Sequence, residues 1–202
     1  MAPRRSRAGL AGLLGVLMVG CGGQPDRAAS TTDAAATDAP PSVEKYLLQV
    51  DEVPGLTPLS SPQANSGEPF DLSDEGAELL RRSGFISTTY QPAEGDRGAG
   101  VSSVMLFESE AGARDWMAYE ISDEAIQLQI PGTKVKRFRV PDVPGATGWT
   151  GPDLHGNAIG QLYWTQGRCM LLLGLEVEGP RVARLSAGAN AIYERTGGTC
   201  PG

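Results

Sequence analysis

The chain of 202 residues predicts an α+β domain in which an antiparallel sheet is packed by helices. Three observations carry this. Segments rich in β-branched and aromatic residues are joined by connections short enough for hairpins, which only antiparallel strands allow. Stretches with helical start and stop signals lie between them. A short pattern also recurs, "EVPGLT" at Glu52–Thr57 and "DVPGAT" at Asp142–Thr147. Strand, turn, strand and helix signals run over 85–121 and again over 157–196. The repetition marks a candidate division into two strand-strand-helix halves. The plainer reading is that Pro-Gly makes a type II turn in any fold.

The elements follow in order. "VEKYLLQV" from Val43 reads as a short helix or strand, and "PLSSPQANSGEP" as a loop. "DLSDEGAELLRRSGF" reads as a helix. Asp71 or Ser73 caps it, acids fill its first turn, Arg81 and Arg82 its last, and Gly84 supplies a left-handed stop. "FISTTYQ" and "VSSVMLF" are strands joined by the turn "EGDRGAG". Ser109 opens a helix through Ile121, with Ala113, Trp116, Met117 and Ile121 on one face. Lys134–Val140 is a short strand and "PDVPGATGW" a turn. "NAIGQLYWT" and "RCMLLLGLEV" are strands joined tightly at Gln166-Gly167. Pro180 opens the last helix, whose buried stripe is Val182, Leu185, Ala189 and Ile192, and Gly197 ends it. The order is α-β-β-α-β-β-β-α, with the helices expected on one face of the sheet.

The N-terminus reads as a targeting segment over residues 1–20. Arg4, Arg5 and Arg7 precede an uncharged run of 13 residues, Ala8–Gly20. That is too short for a bilayer core and fits a signal-peptide apolar region. Residues 21–42 form a disordered tether after Cys21. "GGQPDRAASTTDAAATDAPPS" has no large apolar residue with which to fold. Residues 43–202 remain as a single extracytoplasmic domain. The net charge is −7, and losing the leader's three arginines takes it to −10. Such a surface argues against nucleic acid and against electrostatic adhesion to anionic lipid. Cys169 and Cys200 are an even pair in an exported chain, which suggests a disulfide.

Met18-Val19-Gly20-Cys21 resembles the lipobox of bacterial lipoproteins, with Met18 standing where Leu is usual. The resemblance implies that Cys21 becomes the first mature residue and carries the lipid, so that acyl chains (palmitate among them) hold the protein on the cell membrane, facing outward. More than one chain is needed for stable anchoring. The element order of the remaining domain is similar to PsbP/Mog1-like α/β sandwiches and to extracytoplasmic sensor domains of actinobacterial lipoproteins and kinases.

Chemistry is sparse. His155 is the one histidine, in the glycine-rich loop "GPDLHGN" beside Asp153, and no G-x-S-x-G occurs. One histidine leaves too few ligands for zinc, and no calcium loop, P-loop or dinucleotide fingerprint is present. We assign no catalytic residue, metal ligand or cofactor. Two binding candidates stand out. Trp149, His155, Tyr163 and Trp164 lie among glycines and are suited to lining a ligand cleft. Lys134, Lys136, Arg137 and Arg139 form a basic run in an acidic chain, either a docking patch for an anionic partner or charge that guards a sheet edge. The reading is a membrane-anchored domain that binds an apolar or cell-envelope ligand, or a membrane-protein partner, without catalysis. The alternative is a cell-envelope hydrolase using His155.

Overall fold

The computed structural model describes residues 43–59, 61–66, 72–96 and 98–200. The leader, Cys21, the tether and Asp71 lie outside them. Val43–Gly202 forms one compact unit.

The strands are β1 (Thr57–Pro58), β2 (Gln63–Asn65), β3 (Phe85–Gly95), β4 (Gly98–Phe107), β5 (Lys136–Arg139), β6 (Thr147–Pro152), β7 (Ala158–Gln166) and β8 (Cys169–Val177). They form one antiparallel sheet in the order β1-β3-β4-β8-β7-β6-β5, with β2 also on β3. The helices are α1 (Asp74–Arg82), α2 (Glu110–Glu120), α3 (Asp123–Gln129) and α4 (Arg181–Thr196), and Glu44–Tyr46 makes one 3-10 turn. This is the expected α+β class.

The predicted punctuation acts as read. The Ser73 hydroxyl accepts from the Gly76 N–H, and Ser109 does the same for Gly112. Gly84 and Gly197 stop their helices in the left-handed conformation, at φ 70° and 63°. The β7–β8 hairpin turns on Gly167 and Arg168, one residue later than expected, because Gln166 pairs with Cys169. Four elements lie outside the sequence reading. Two are the short strands β1 and β2, where a loop is expected over 58–69. The third is α3, capped by Ser122. The fourth is β6, which places Trp149 in a strand rather than a turn.

The helices do not share one face. Paired residues across an antiparallel ladder point to the same side. Leu171, Leu173 and Leu175 of β8 therefore share a side with Val104 of β4 and with Leu162 and Trp164 of β7. These six pack with Leu185, Ala189 and Ile192 of α4 in one buried cluster. Met170 and Leu172 point the other way, with Met105, Ser103 and Tyr163. There α2 lies across β4, β7 and β8. The physical reason is β8 itself, an apolar run buried on both sides that needs cover on both. Val182, expected in the stripe of α4, is 40% exposed instead.

The α4 face is closed by the N-terminal segment. Tyr46, Leu47, Leu48, Val53 and Leu56 are all buried. The Leu48 N–H donates to the Ser102 hydroxyl at 3.0 Å. Arg195 of α4 pairs with Glu52 and donates to the carbonyls of Lys45 (2.9 Å) and Leu47 (2.6 Å). A side chain at Gly188 would meet Val53 at 2.8 Å, so this contact requires glycine.

The repeat has a structural counterpart. Val53–Leu56 and Val143–Ala146 are both turns with a glycine at positive φ (80° and 74°) and buried first and last residues. One leads into β1, which pairs with β3, and the other into β6, which pairs with β7. The order β3-β4-β8-β7 thus has a two-fold relation about an axis through the sheet. Such an axis would leave α2 and α4 on one face, and the helices break it.

Cys169 and Cys200 are bonded, with Cα atoms 5.7 Å apart and a sequence separation of 31. The bond ties the tail of α4 to the start of β8. Loop-entropy arguments give it about 3–4 kcal/mol. A Cys200→Ser variant, or the reduced wild type, is expected to lose that much in denaturant unfolding; an unchanged midpoint would show that the bond adds nothing.

Candidate functional site

On the α2 face the packing stops being apolar at one place. The last residue of α2, Glu120, meets β7 beneath it. The Tyr163 hydroxyl lies 3.4 Å from the Glu120 carboxyl and is hydrogen-bonded to the Gln161 side-chain carbonyl. The Gln129 amide, from the end of α3, donates to the same carboxyl at 3.4 Å. The indole N–H of buried Trp149 lies beside the Tyr163 hydroxyl and is otherwise without a hydrogen-bond partner. Glu120 and Gln161 are half-buried and Gln129 is exposed, so the cluster runs from the sheet floor to the surface.

Its protonation follows from this geometry. A phenol has one proton, so the Tyr163 hydroxyl donates to the Glu120 carboxyl or to the Gln161 carbonyl, one at a time. Burial pushes the Glu120 carboxyl up to about 7, against the opposing pull of its Tyr163 and Gln129 hydrogen bonds. Burial and the Glu120 charge together hold the Tyr163 phenol well above its usual range. Arg137, in the same cross-strand row as Trp149 and Gln161, is occupied by Asp123 (2.6 Å) and the Ile121 carbonyl (2.5 Å).

Strand alternation sorts the sequence candidates around this cluster. Arg139, Thr147 and Tyr163 form one cross-strand row, and Arg137, Trp149 and Gln161 the next. Tyr163 and Trp149 thus come together, with Arg137 and Arg139 at the border. Trp164 points to the other face, is fully buried in the α4 cluster and shares no site with them. Lys136 and Phe138 also point that way, and Phe138 packs against the same cluster. His155 sits apart in an exposed loop. The Asp153 carboxylate beside it accepts from the backbone N–H of His155 (2.8 Å) and Asn157 (2.7 Å) and from the Asn157 side chain (2.9 Å). Burial opposes ionisation of Asp153, but these three donors outweigh it and hold its carboxyl below the usual range. That carboxylate orders the loop and makes no bond to the imidazole. Glu120, Gln129 and Gln161 were not read from the sequence as site residues. Among the described residues no group of three His, Cys, Asp or Glu is placed to hold a metal ion. No described helix is long and apolar enough to cross a membrane.

No family model and no curated protein matches this sequence. Solved structures do. The fold is similar to that of the extracellular domain of PknH from Mycobacterium tuberculosis. The likeness covers 78% of this chain and 98% of that domain, with a TM-score of 0.51 and 12% identity. A second match, to an uncharacterised Mycobacterium smegmatis protein that is an Rv0999 ortholog, covers 70% of this chain and 89% of that one, with a TM-score of 0.42 and 11% identity. At 12% identity the PknH likeness speaks to architecture alone.

The raised Glu120 acid has a measurable consequence. The unfolded chain releases this proton near pH 4.5 and the folded one near 7. Its contribution to stability is therefore full below pH 4.5, falls as pH rises through that window, and is gone above 7, a loss of up to about 3 kcal/mol. Urea unfolding across pH 4–8 is expected to show this decline, and Glu120→Gln to flatten it. A wild-type profile as flat as that of the variant would contradict the protonated cluster.

Proposed function

We propose that this protein is a membrane-anchored extracytoplasmic domain that binds a ligand without catalysis, and that the Glu120–Tyr163–Gln161–Gln129 cluster is where the ligand is held. The observation that carries this reading is the cluster itself, a connected polar network reaching the surface from within a packed layer. Buried polar groups cost stability unless fully satisfied, and an apolar set at these positions would serve packing alone better. The two glutamine amides and a carboxyl that is neutral in mild acid suit a ligand rich in hydroxyl or amide groups, such as a fragment of cell-envelope glycan. The Trp149 and Tyr163 rings are buried beneath them and form the floor. The lipobox resemblance at Cys21, the bonded cysteine pair and the likeness in fold to the extracellular domain of PknH support an address outside the membrane.

The test is native mass spectrometry of the domain from Pro41 to Gly202, exported by its own host. Wild type is expected to carry a non-covalent mass that denaturation removes, and Tyr163→Phe, losing one hydrogen bond worth about 1 kcal/mol, to carry several-fold less. A bare wild-type mass would count against ligand binding. The anchor is tested separately. Cys21→Ala is expected to move the full chain from the membrane fraction to the soluble one, and a variant that stays with the membrane would refute lipidation.

A further inference from the structure

Strand β5 ends the sheet on its side, and among the described residues its outer edge pairs with no other strand. The ladder shows which of its backbone groups are spent. The Val140 N–H bonds to the Ala146 carbonyl, closing the turn into β6. Bonded and non-bonded pairs alternate along an antiparallel ladder. With Phe138 opposite Gly148 and Lys136 opposite Thr150, those two β5 residues direct their N–H and C=O groups at β6. Arg137 and Arg139 direct theirs outward, away from the sheet. The β6–β7 loop gives the same phase independently, since the Asp153 N–H bonds to the Asn157 carbonyl at 2.7 Å.

The side chains on this edge are cationic. Lys134, Lys136 and Arg139 are without an ion pair among the described residues, and Lys134, Lys136, Arg137 and Arg139 are all exposed. They stand in a chain whose net charge is −7, so their sign is a local choice. Alternation also divides them, with Lys136 on the α4 side and Arg137 and Arg139 on the α2 side. A flat anionic surface would meet cations on only one side at a time. An extended chain with acidic side chains on both of its faces would meet both sets, while its backbone takes up the free N–H and C=O groups.

We propose that the outer edge of β5 is a docking site for an acidic, extended peptide segment of a protein partner, which adds to the sheet as a further antiparallel strand. The proposal stands apart from ligand binding at Glu120, because it uses the backbone edge and the unpaired cations rather than the polar cluster.

Hydrogen exchange followed residue by residue tests it. The probe is a short synthetic peptide of the repeat Glu-Glu-Val-Val, which puts Glu on both faces of a strand, with a twin carrying Lys for Glu and with anionic phosphatidylglycerol vesicles as controls. The acidic peptide is expected to slow exchange at the Arg137 and Arg139 amides at least tenfold, while the Lys136 and Phe138 amides, already bonded to β6, change little. Arg139→Pro, which removes an outward N–H, is expected to weaken binding at least tenfold, and Lys136→Glu to weaken it while improving binding of the Lys twin. Binding without protection of the Arg137 and Arg139 amides would reduce the edge to simple charge adhesion and overturn strand addition. Capture by vesicles but not by the peptide would assign the patch to a membrane instead. No binding to either would leave the cations as guards against edge-to-edge aggregation. Because the exchange measurement uses the wild-type domain, it decides the matter even if Arg139→Pro does not fold.

Discussion

Cys169 to Val177 runs through the middle of the sheet with apolar side chains on both sides, so water must be kept from both at once. Full burial of one leucine contributes about 2 kcal/mol, and this strand alone carries Leu171, Leu173 and Leu175 toward α4, with Met170 toward α2. One helix cannot cover both faces. The chain after β8 therefore returns as α4 on one side, and the chain after β4 crosses as α2 on the other. The N-terminal segment completes the α4 layer through Leu48, Val53 and the Arg195 contacts. At the α1–α2 junction Gly112 lies so close to the Ser83 carbonyl that a side chain would not fit.

The two layers differ in kind. The α4 layer is a continuous apolar cluster that includes Trp164 and the bonded Cys169. The α2 layer is apolar over β4 and β8 and turns polar toward β7 and β6, where Tyr163, Gln161 and Glu120 meet. Period-two alternation produces the difference. Leu162 and Trp164 face α4 while the residue between them, Tyr163, faces α2, so a single strand supplies the core of one layer and the polar floor of the other. The same alternation splits the basic run of β5, sending Phe138 into the core and Arg139 to the edge of the polar floor.

Much of the architecture was legible in the residues because it rests on local signals. Ser73, Ser109, Gly84 and Gly197 bound their helices as read, and the Cys169–Cys200 pair closed. What was missed depended on reading a run as a whole. "RCMLLLGLEV" reads as a strand from its composition, but only its unbroken apolar run as a whole says that it is covered twice. Ser122 followed by two acids is a helix start that is weak without the crossing of the chain beside it. The polar cluster was illegible for a different reason. Glu120 and Tyr163 are 43 residues apart, and neither is unusual where it stands. Only the crossing of α2 over β7 brings the carboxyl to the phenol. Trp149, Tyr163 and Trp164 look like one aromatic group in sequence, and strand alternation separates the last from the other two.

Burial of Glu120 is the point on which the binding reading turns, since only a carboxyl drawn out of water beside Tyr163 is pushed up from its ordinary range. Carbon-13 NMR of the glutamate side-chain carboxyls, titrated from pH 4 to 9 with Glu120→Gln to assign the signal, measures it directly. A midpoint at about 7 is expected for Glu120, with the Tyr163 ring signals shifting over the same range. A midpoint at the ordinary value of 4.5, with Tyr163 unmoved, would mean that the carboxyl lies in water and that the α2 face carries no such site.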